Sequence, residues 1–310
     1  MMESKKVATR AGYGAALAEL GGDERIIVLD ADLSKSTNTA KFAEKYPERF
    51  INCGIAEANM MSVAAGLAVS GKIVFASTFA MFAAGRAYEQ VRNSVCYPNL
   101  NVKIGATHAG ISVGEDGATH QPIEDLALMR VIPNMTVVCP ADAIEAQGAV
   151  RAAIETPGPF YLRLGRLPVP QVNPDGYEFR LGKGVELRTG SDVSIIATGL
   201  MVSEALRAAD ILAETNISAR VINIHTIKPI DRDIILKAAR ETRGIVTAEE
   251  HSIIGGLGGA VAEVTARDCP VRIAMTGMED TFGRSGKPAD LLKYYGLTAE
   301  RIVEKCTSIL

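Results

Sequence analysis

Four short runs, "RIIVLDAD", "KIVFAST", "NVKIGAT" and "MTVVCPAD", are apolar almost without interruption. A strand with one wet face alternates polar and apolar residues. A strand apolar on both sides must be covered on both sides, as in parallel sheets flanked by helices. The stretches between these runs carry helical patterns: Ala8 to Glu19, Ala56 to Ser70, Met81 to Val95, and Asp142 to Glu155, with Asp142 a candidate N-cap. Four prolines between Pro157 and Pro170, followed by the turn signal "NPDG", then break the alternation. It resumes with "VSIIATG", "ARVINIHTI", "GIVTAEE" and "VRIAMTG". The expected fold is α/β, with two three-layer α/β/α domains at residues 1–166 and 181–310 and a linker at 167–180. The 310 residues suffice for two domains of ordinary size.

Composition narrows the function. With 33 basic and 36 acidic residues the net charge is −3, which argues against nucleic acid as the main partner. No apolar run is long enough to span a bilayer, and "MMESKKVATR" lacks the apolar core of a signal peptide, so no membrane partner is expected. The five cysteines are odd in number and never spaced C-x-x-C, which fits reduced thiols in a cytoplasmic protein. The four histidines are not spaced as metal ligands, so no metal site is expected on this chain.

In open parallel sheets ligands collect at the carboxyl ends of the strands. Here the residues following the strands include Asp30, Asp32, Ser34, Lys35 and Ser36, then Glu57, then His108, Glu115, Asp116, His120 and Gln121, and finally Arg166. Glu57 is the only charge between Phe50 and Gly71. It reads either as an exposed first-turn carboxylate facing the helix dipole or as a buried acid able to share a proton with a ligand. "GEDGATHQP" reads either as a turn or as a proton-handling loop. "GGLGGAVAE" lacks the G-x-G-x-x-G spacing and reads as close helix packing. His225 fits a structural or interface position, and His251 fits either a structural or a functional one.

"GIAEANM", "FASTFAMF", "GEDGATHQPIEDLALMRVIPNM" and "EEHSIIGGLGG" resemble, in order and along the whole chain, the C-terminal half of transketolase. The likeness is greater to the separately encoded C-terminal subunit of a split transketolase. The resemblance implies a thiamine pyrimidine-binding domain followed by a smaller transketolase C-terminal-like domain, and transfer of a two-carbon ketol unit between sugar phosphates. Glu57 would contact N1′ of the aminopyrimidine of thiamine diphosphate, with Phe79 and Phe82 flanking the ring and Asp32 nearby. His108 and His120 would line the path of the donor's hydroxyls and phosphate, and Asp116 would read the hydroxyl next to the donor carbonyl. Arg10, Ser36 and Arg166 would grip the sugar phosphate, a task suited to arginine forks.

The family's "GDG…N" motif for the diphosphate metal is absent from this sequence. The resemblance therefore implies an N-terminal transketolase subunit that brings the diphosphate pocket and Mg²⁺ or Ca²⁺, with self-association into an α2β2 assembly. The second domain would serve subunit contacts and structure. Three departures bear on acceptor preference: Asn59 stands near the position of a usual histidine, "THAG" replaces "THDS", and "AAGRA" leaves Arg86 and Tyr88 unassigned. Two other enzyme readings are deoxyxylulose phosphate synthase-like and 2-oxoacid dehydrogenase beta-subunit-like, and "THQPIEDL" disfavours both. A non-catalytic assembly subunit of the same fold is the alternative from another class.

Overall fold

The structure, a computed structural model, describes residues 6–310. Its strands are β1 (Ile26–Asp30), β2 (Phe50–Asn52), β3 (Ile73–Phe79), β4 (Val102–Thr107), β5 (Thr136–Val138), β6 (Phe160–Arg163), β7 (Val185–Arg188), β8 (Val193–Ala197), β9 (Ala219–Asn223), β10 (Thr226–Lys228), β11 (Ile245–Ser252) and β12 (Ile273–Met278). The first-half helices are α1 (Thr9–Leu20), α2 (Ser34–Thr37), α3 (Ala40–Lys45), α4 (Glu57–Val69), α5 (Tyr88–Gln90), α6 (Asp125–Arg130) and α7 (Ala143–Glu155). The second half adds α8 (Met201–Glu214), α9 (Arg232–Glu241), α10 (Leu257–Asp268), α11 (Pro288–Tyr294) and α12 (Ala299–Ile309).

The continuous apolar runs do form parallel sheets. One has the order β10-β5-β6-β4-β3-β1-β2 and the other β12-β11-β8-β9-β7. All pairings are parallel except those of β10 with β5 and β7 with β9. In β3 and β4 every residue is buried, as two covered faces require. Asp142 caps α7 by accepting the Glu145 N–H at 2.8 Å. Its other carboxylate oxygen accepts the N–H groups of Val172 and Asn173, both at 2.9 Å, tying the proline-rich segment to the first sheet.

Two elements differ from the sequence reading. "ARVINIHTI" is not one strand: β9 ends at Asn223, and β10 crosses to pair antiparallel with β5 in the other sheet. The crossing covers hydrogen-bonding groups that the edge of β5 would otherwise leave unpaired. Met81 to Val95 is not a regular α-helix either. Phe82–Arg86 and Val91–Cys96 are π-helical turns on either side of α5, and the Ala87 N–H reaches back five residues to the Phe82 carbonyl. Apolar spacing over so few residues does not separate a π turn from an α turn, and π turns gather at functional sites.

Candidate active site

Because β1 to β6 run parallel, their carboxyl ends share one rim. Asp30 shapes the first loop there. Its buried carboxyl accepts the Leu33 N–H at 2.6 Å and the hydroxyls of Thr37 and Thr39 at 2.7 and 2.8 Å. Burial raises its pKa, and these hydrogen bonds oppose the rise. The loop so closed presents Asp32, with φ 63°, and Ser36. Asp32 is exposed and held by Asn52, whose amide donates to its carboxylate at 2.9 Å.

Glu57 opens α4 and is 1% exposed. That removes the exposed first-turn reading. The carboxylate is not solitary, however. Arg86, from the π turn, donates to its Oε2 at 2.8 Å, the carboxylate's one hydrogen-bond partner among the described residues. The same guanidinium lies 4.5 Å from the Phe82 ring centroid and remains half-exposed. A flat cation thus sits on the Phe82 ring while pointing a donor at Glu57. The only sequence signal for Arg86 was a basic residue among small ones in "AAGRA".

Phe79, Phe82, His108 and His120 form one cluster. Phe79 stacks on His108 at 3.8 Å between centroids and on Phe82 at 5.8 Å, and His120 meets Phe82 edge-on at 5.4 Å. His108 is buried with φ 58°, its Nδ1 lying 2.9 Å from the Thr107 hydroxyl. Burial foremost, then the charges of Arg10, Arg166 and His120, push its pKa down to about 3, so the ring is neutral near pH 7. A neutral ring donating to Thr107 keeps Nε2 as an acceptor, and Arg10 Nη1 lies 3.5 Å from it.

Arg10 also donates to the Ser36 carbonyl at 2.5 Å, and its pKa is lowered by burial and by the nearby Arg166 charge. No carboxylate pairs with it among the described residues. Arg166 donates to the Val113 carbonyl and stands 3.7 Å from Asp116 and 3.9 Å from Glu115, both exposed. Two guanidiniums, a neutral imidazole and the Ser36 turn therefore converge beside the aromatic cluster. Convergent cations without a buried counterion suit an anionic group such as phosphate. Among the described residues no group of three His, Cys, Asp or Glu side chains could hold a metal ion.

The remaining motifs make packing and hydrogen-bond contacts away from this cluster. The N-terminus of α10, within "GGLGG", is filled by Glu249, which accepts the N–H groups of Leu257 at 2.6 Å and Gly258 at 2.8 Å. A Cβ on Gly256 would stand 2.0 Å from that carboxylate, so glycine is required by close approach. His251 Nε2 accepts the Ala127 N–H at 3.3 Å, linking α6 to β11. His225 sits at the crossing between sheets, its ring tilted against Phe179 at 4.3 Å between centroids, and its carbonyl accepts the Cys139 N–H at 2.7 Å.

The fold and this rim define a pyrimidine-binding α/β domain followed by a second α/β domain. The family model "Transketolase, pyrimidine binding domain" matches residues 5–171, and "Transketolase, C-terminal domain" matches residues 182–302. The chain belongs to the transketolase family, whose members depend on thiamine diphosphate. Along its length it corresponds to the C-terminal subunits of split transketolases. It is 55% identical to a protein from Methanocaldococcus jannaschii named for a transketolase C-terminal section, covering 96% of this chain and 94% of that one. It is 46% identical to the 6-deoxy-6-sulfo-D-fructose transketolase subunit of a Clostridium species (strain MSTE9), covering 91% of this chain and 87% of the relative. A solved split-gene transketolase, an inactive beta4 tetramer, superposes with a TM-score of 0.92 at 54% identity and 98% coverage of both chains.

Proposed function

We propose that this chain is the C-terminal subunit of a thiamine diphosphate-dependent transketolase that moves a two-carbon ketol unit from a ketose phosphate to an aldose phosphate. It would act with a separate N-terminal subunit, in a cytoplasmic α2β2 assembly. One observation carries the reading: a buried glutamate, Glu57, and an aromatic face, Phe82, hold a planar donor between them.

That donor is now Arg86. An aminopyrimidine is also planar, stacks on an aromatic ring and can share a proton with a carboxylate, so the residues present fit it. Arg86 is half-exposed and free to withdraw to solvent. Glu57 would hold the pyrimidine nitrogen, Phe82 its face, and Phe79 and Asp32 the surrounding wall. When bound, thiamine diphosphate supplies the carbon that accepts the ketol unit. Mg²⁺ or Ca²⁺ and the diphosphate would be held by the N-terminal subunit. The relative solved as an inactive beta4 tetramer supports the need for a second kind of subunit.

On the substrate side Arg10, Arg166 and the Ser36 turn would bind the phosphate. Neutral His108 can accept from one donor hydroxyl without adding charge, and His120 faces the same cluster. Asp116, beside Arg166, would take the hydroxyl next to the carbonyl. The relative named for a sulfonated fructose suggests that a sulfonate head could meet the same arginine pair. Sugar phosphates and sulfonates therefore belong in the same assay.

The test is reconstitution with the N-terminal subunit, thiamine diphosphate and Mg²⁺. Ketol transfer from a ketose phosphate is expected, and Glu57→Ala should lower kcat by about 10²- to 10⁴-fold without altering the circular dichroism. Full activity in Glu57→Ala would remove the assigned role of Glu57. Activity with pyruvate but not with ketose phosphates would favour the deoxyxylulose phosphate synthase-like or dehydrogenase-like reading.

A further inference from the structure

The site described above does not use Glu250, yet this buried carboxyl of β11 reaches the histidine loop from the second domain. Its Oε1 accepts the Ser112 N–H at 2.6 Å. Gly110 packs so closely on it that a Cβ there would stand 2.3 Å from the carboxyl carbon. The position of Glu250 is itself fixed. Its carbonyl accepts from Arg163 Nη2 at 2.9 Å, and Arg163 is held by Asp125 through two bonds of 2.8 and 3.0 Å. Two residues along β11, the Ser252 N–H donates to the Ile123 carbonyl at 2.6 Å. The second domain thus grips the loop near both ends, and Asp116 and His120 lie between the grips.

Beneath the loop is a cavity of about 20 Å³, room for about one water. Glu250 and Ser112 line it together with Thr9, Ala109 and Gly165, the chain neighbours of Arg10, His108 and Arg166. The buried Ser112 hydroxyl lies beside the Glu250 carboxyl without a well-formed hydrogen bond to it or to any other described group. Glu250 therefore stands directly behind the floor on which these three donor-facing side chains are mounted.

We infer that Glu250 is a positioning residue for donor binding: from the second domain it fixes the loop after β4, and so the spacing of His108, Asp116 and His120 relative to Arg10 and Arg166. This rests on the proposed function, and Glu250 itself touches no reacting atom.

Two variants and two readouts test it. In the isolated chain, Glu250→Ala should speed hydrogen–deuterium exchange in residues 110–123 by about tenfold, leaving α8 and α12 unchanged. In the reconstituted complex it should raise the donor KM about tenfold with kcat within about threefold. Glu250→Gln keeps an oxygen that accepts the Ser112 N–H and should stay within about threefold of wild type on both readouts. Glu250→Asp, which keeps the charge but draws the carboxylate back from the Ser112 N–H by one methylene, should shift both readouts in the same direction as Glu250→Ala. It decides by the same criteria if Glu250→Ala loosens the whole chain.

Unchanged loop exchange overturns the brace. Faster loop exchange with an unchanged donor KM overturns the positioning role, and so does Glu250→Gln failing as badly as Glu250→Ala. A wild-type complex without ketol transfer would overturn the functional reading instead, while the exchange data would still decide whether Glu250 holds the loop.

Discussion

The two sheets have nearly the same parallel construction, but their carboxyl rims have opposite fates. The rim of the first sheet stays accessible: Asp32, Asp116 and Arg86 are exposed there, and Arg10 and Arg166 carry charge with little or no pairing. The rim of the second sheet is closed by the first domain. Past β8, Thr198 donates to the Cys139 carbonyl at 3.2 Å. At the end of β9, Asn223 donates to Glu145 at 2.8 Å. Along β11, Glu250 and Ser252 bond to the histidine loop. Parallel topology supplies a place for a ligand, and what packs on that place decides whether a ligand or a neighbouring domain fills it.

Variants at the closed rim should therefore cost stability, and variants at the open rim should cost function. The largest stability loss is expected for Asp125→Ala. It strands the buried Arg163 that carries the end of β11, for about 3–5 kcal/mol by urea unfolding. Asp116→Asn on the open rim should stay within about 0.5 kcal/mol. Equal losses would erase the contrast. Asn223→Ala should follow at about 1–3 kcal/mol, because it leaves the buried Glu145 short of a donor.

The pH dependence comes next. Burial raises Glu145 to about 7, against the Ala141 N–H, Asn223 and Tyr177 that bond it and with the Asp142 charge adding to the rise. Burial likewise raises Glu250, beside Arg163, Ser112 and Asp125, to about 7. Both bind protons more tightly when folded, so the stability they contribute is present at low pH and lost as pH rises from about 4.5 through about 7. His108 and His225 act oppositely. Lowered to about 3 and about 4, they contribute stability above about 6.5 that is lost on acidification. Compared with wild type, Glu145→Gln should therefore gain in unfolding midpoint as pH rises from about 4.5 to about 7, because it has no carboxyl to deprotonate there. A difference between Glu145→Gln and wild type that stays constant across this range would contradict this.

A small stability effect, below about 1 kcal/mol, is also expected for Arg10→Leu, because relief of a half-buried cation beside Arg166 offsets the lost bond to the Ser36 carbonyl. The same variant should raise the KM for a sugar phosphate donor by more than tenfold.

The open rim was legible in the sequence because its polar residues directly follow uninterrupted apolar strands. The motifs around Glu57 and His120 marked the residues that the fold gathers there. The closed rim was not. "AEEHS" reads as an ordinary charged strand end, and the burial of Glu249 and Glu250 is set by contacts with residues more than a hundred positions away for Ser112, and by a helix start for Glu249. Arg86 escaped for a similar reason: it meets Glu57 across 29 residues through a π turn that apolar spacing does not reveal. The crossing at His225 was hidden because both halves of "ARVINIHTI" are equally apolar, although they serve different sheets.

The claim that the open rim is half of a cofactor site is tested most directly by calorimetric titration of thiamine diphosphate with Mg²⁺. The isolated chain should bind weakly, and addition of the N-terminal subunit should convert this to tight, metal-dependent binding that Glu57→Ala weakens. Tight, metal-dependent binding to the isolated chain, or binding by the pair that ignores Glu57, would contradict the account.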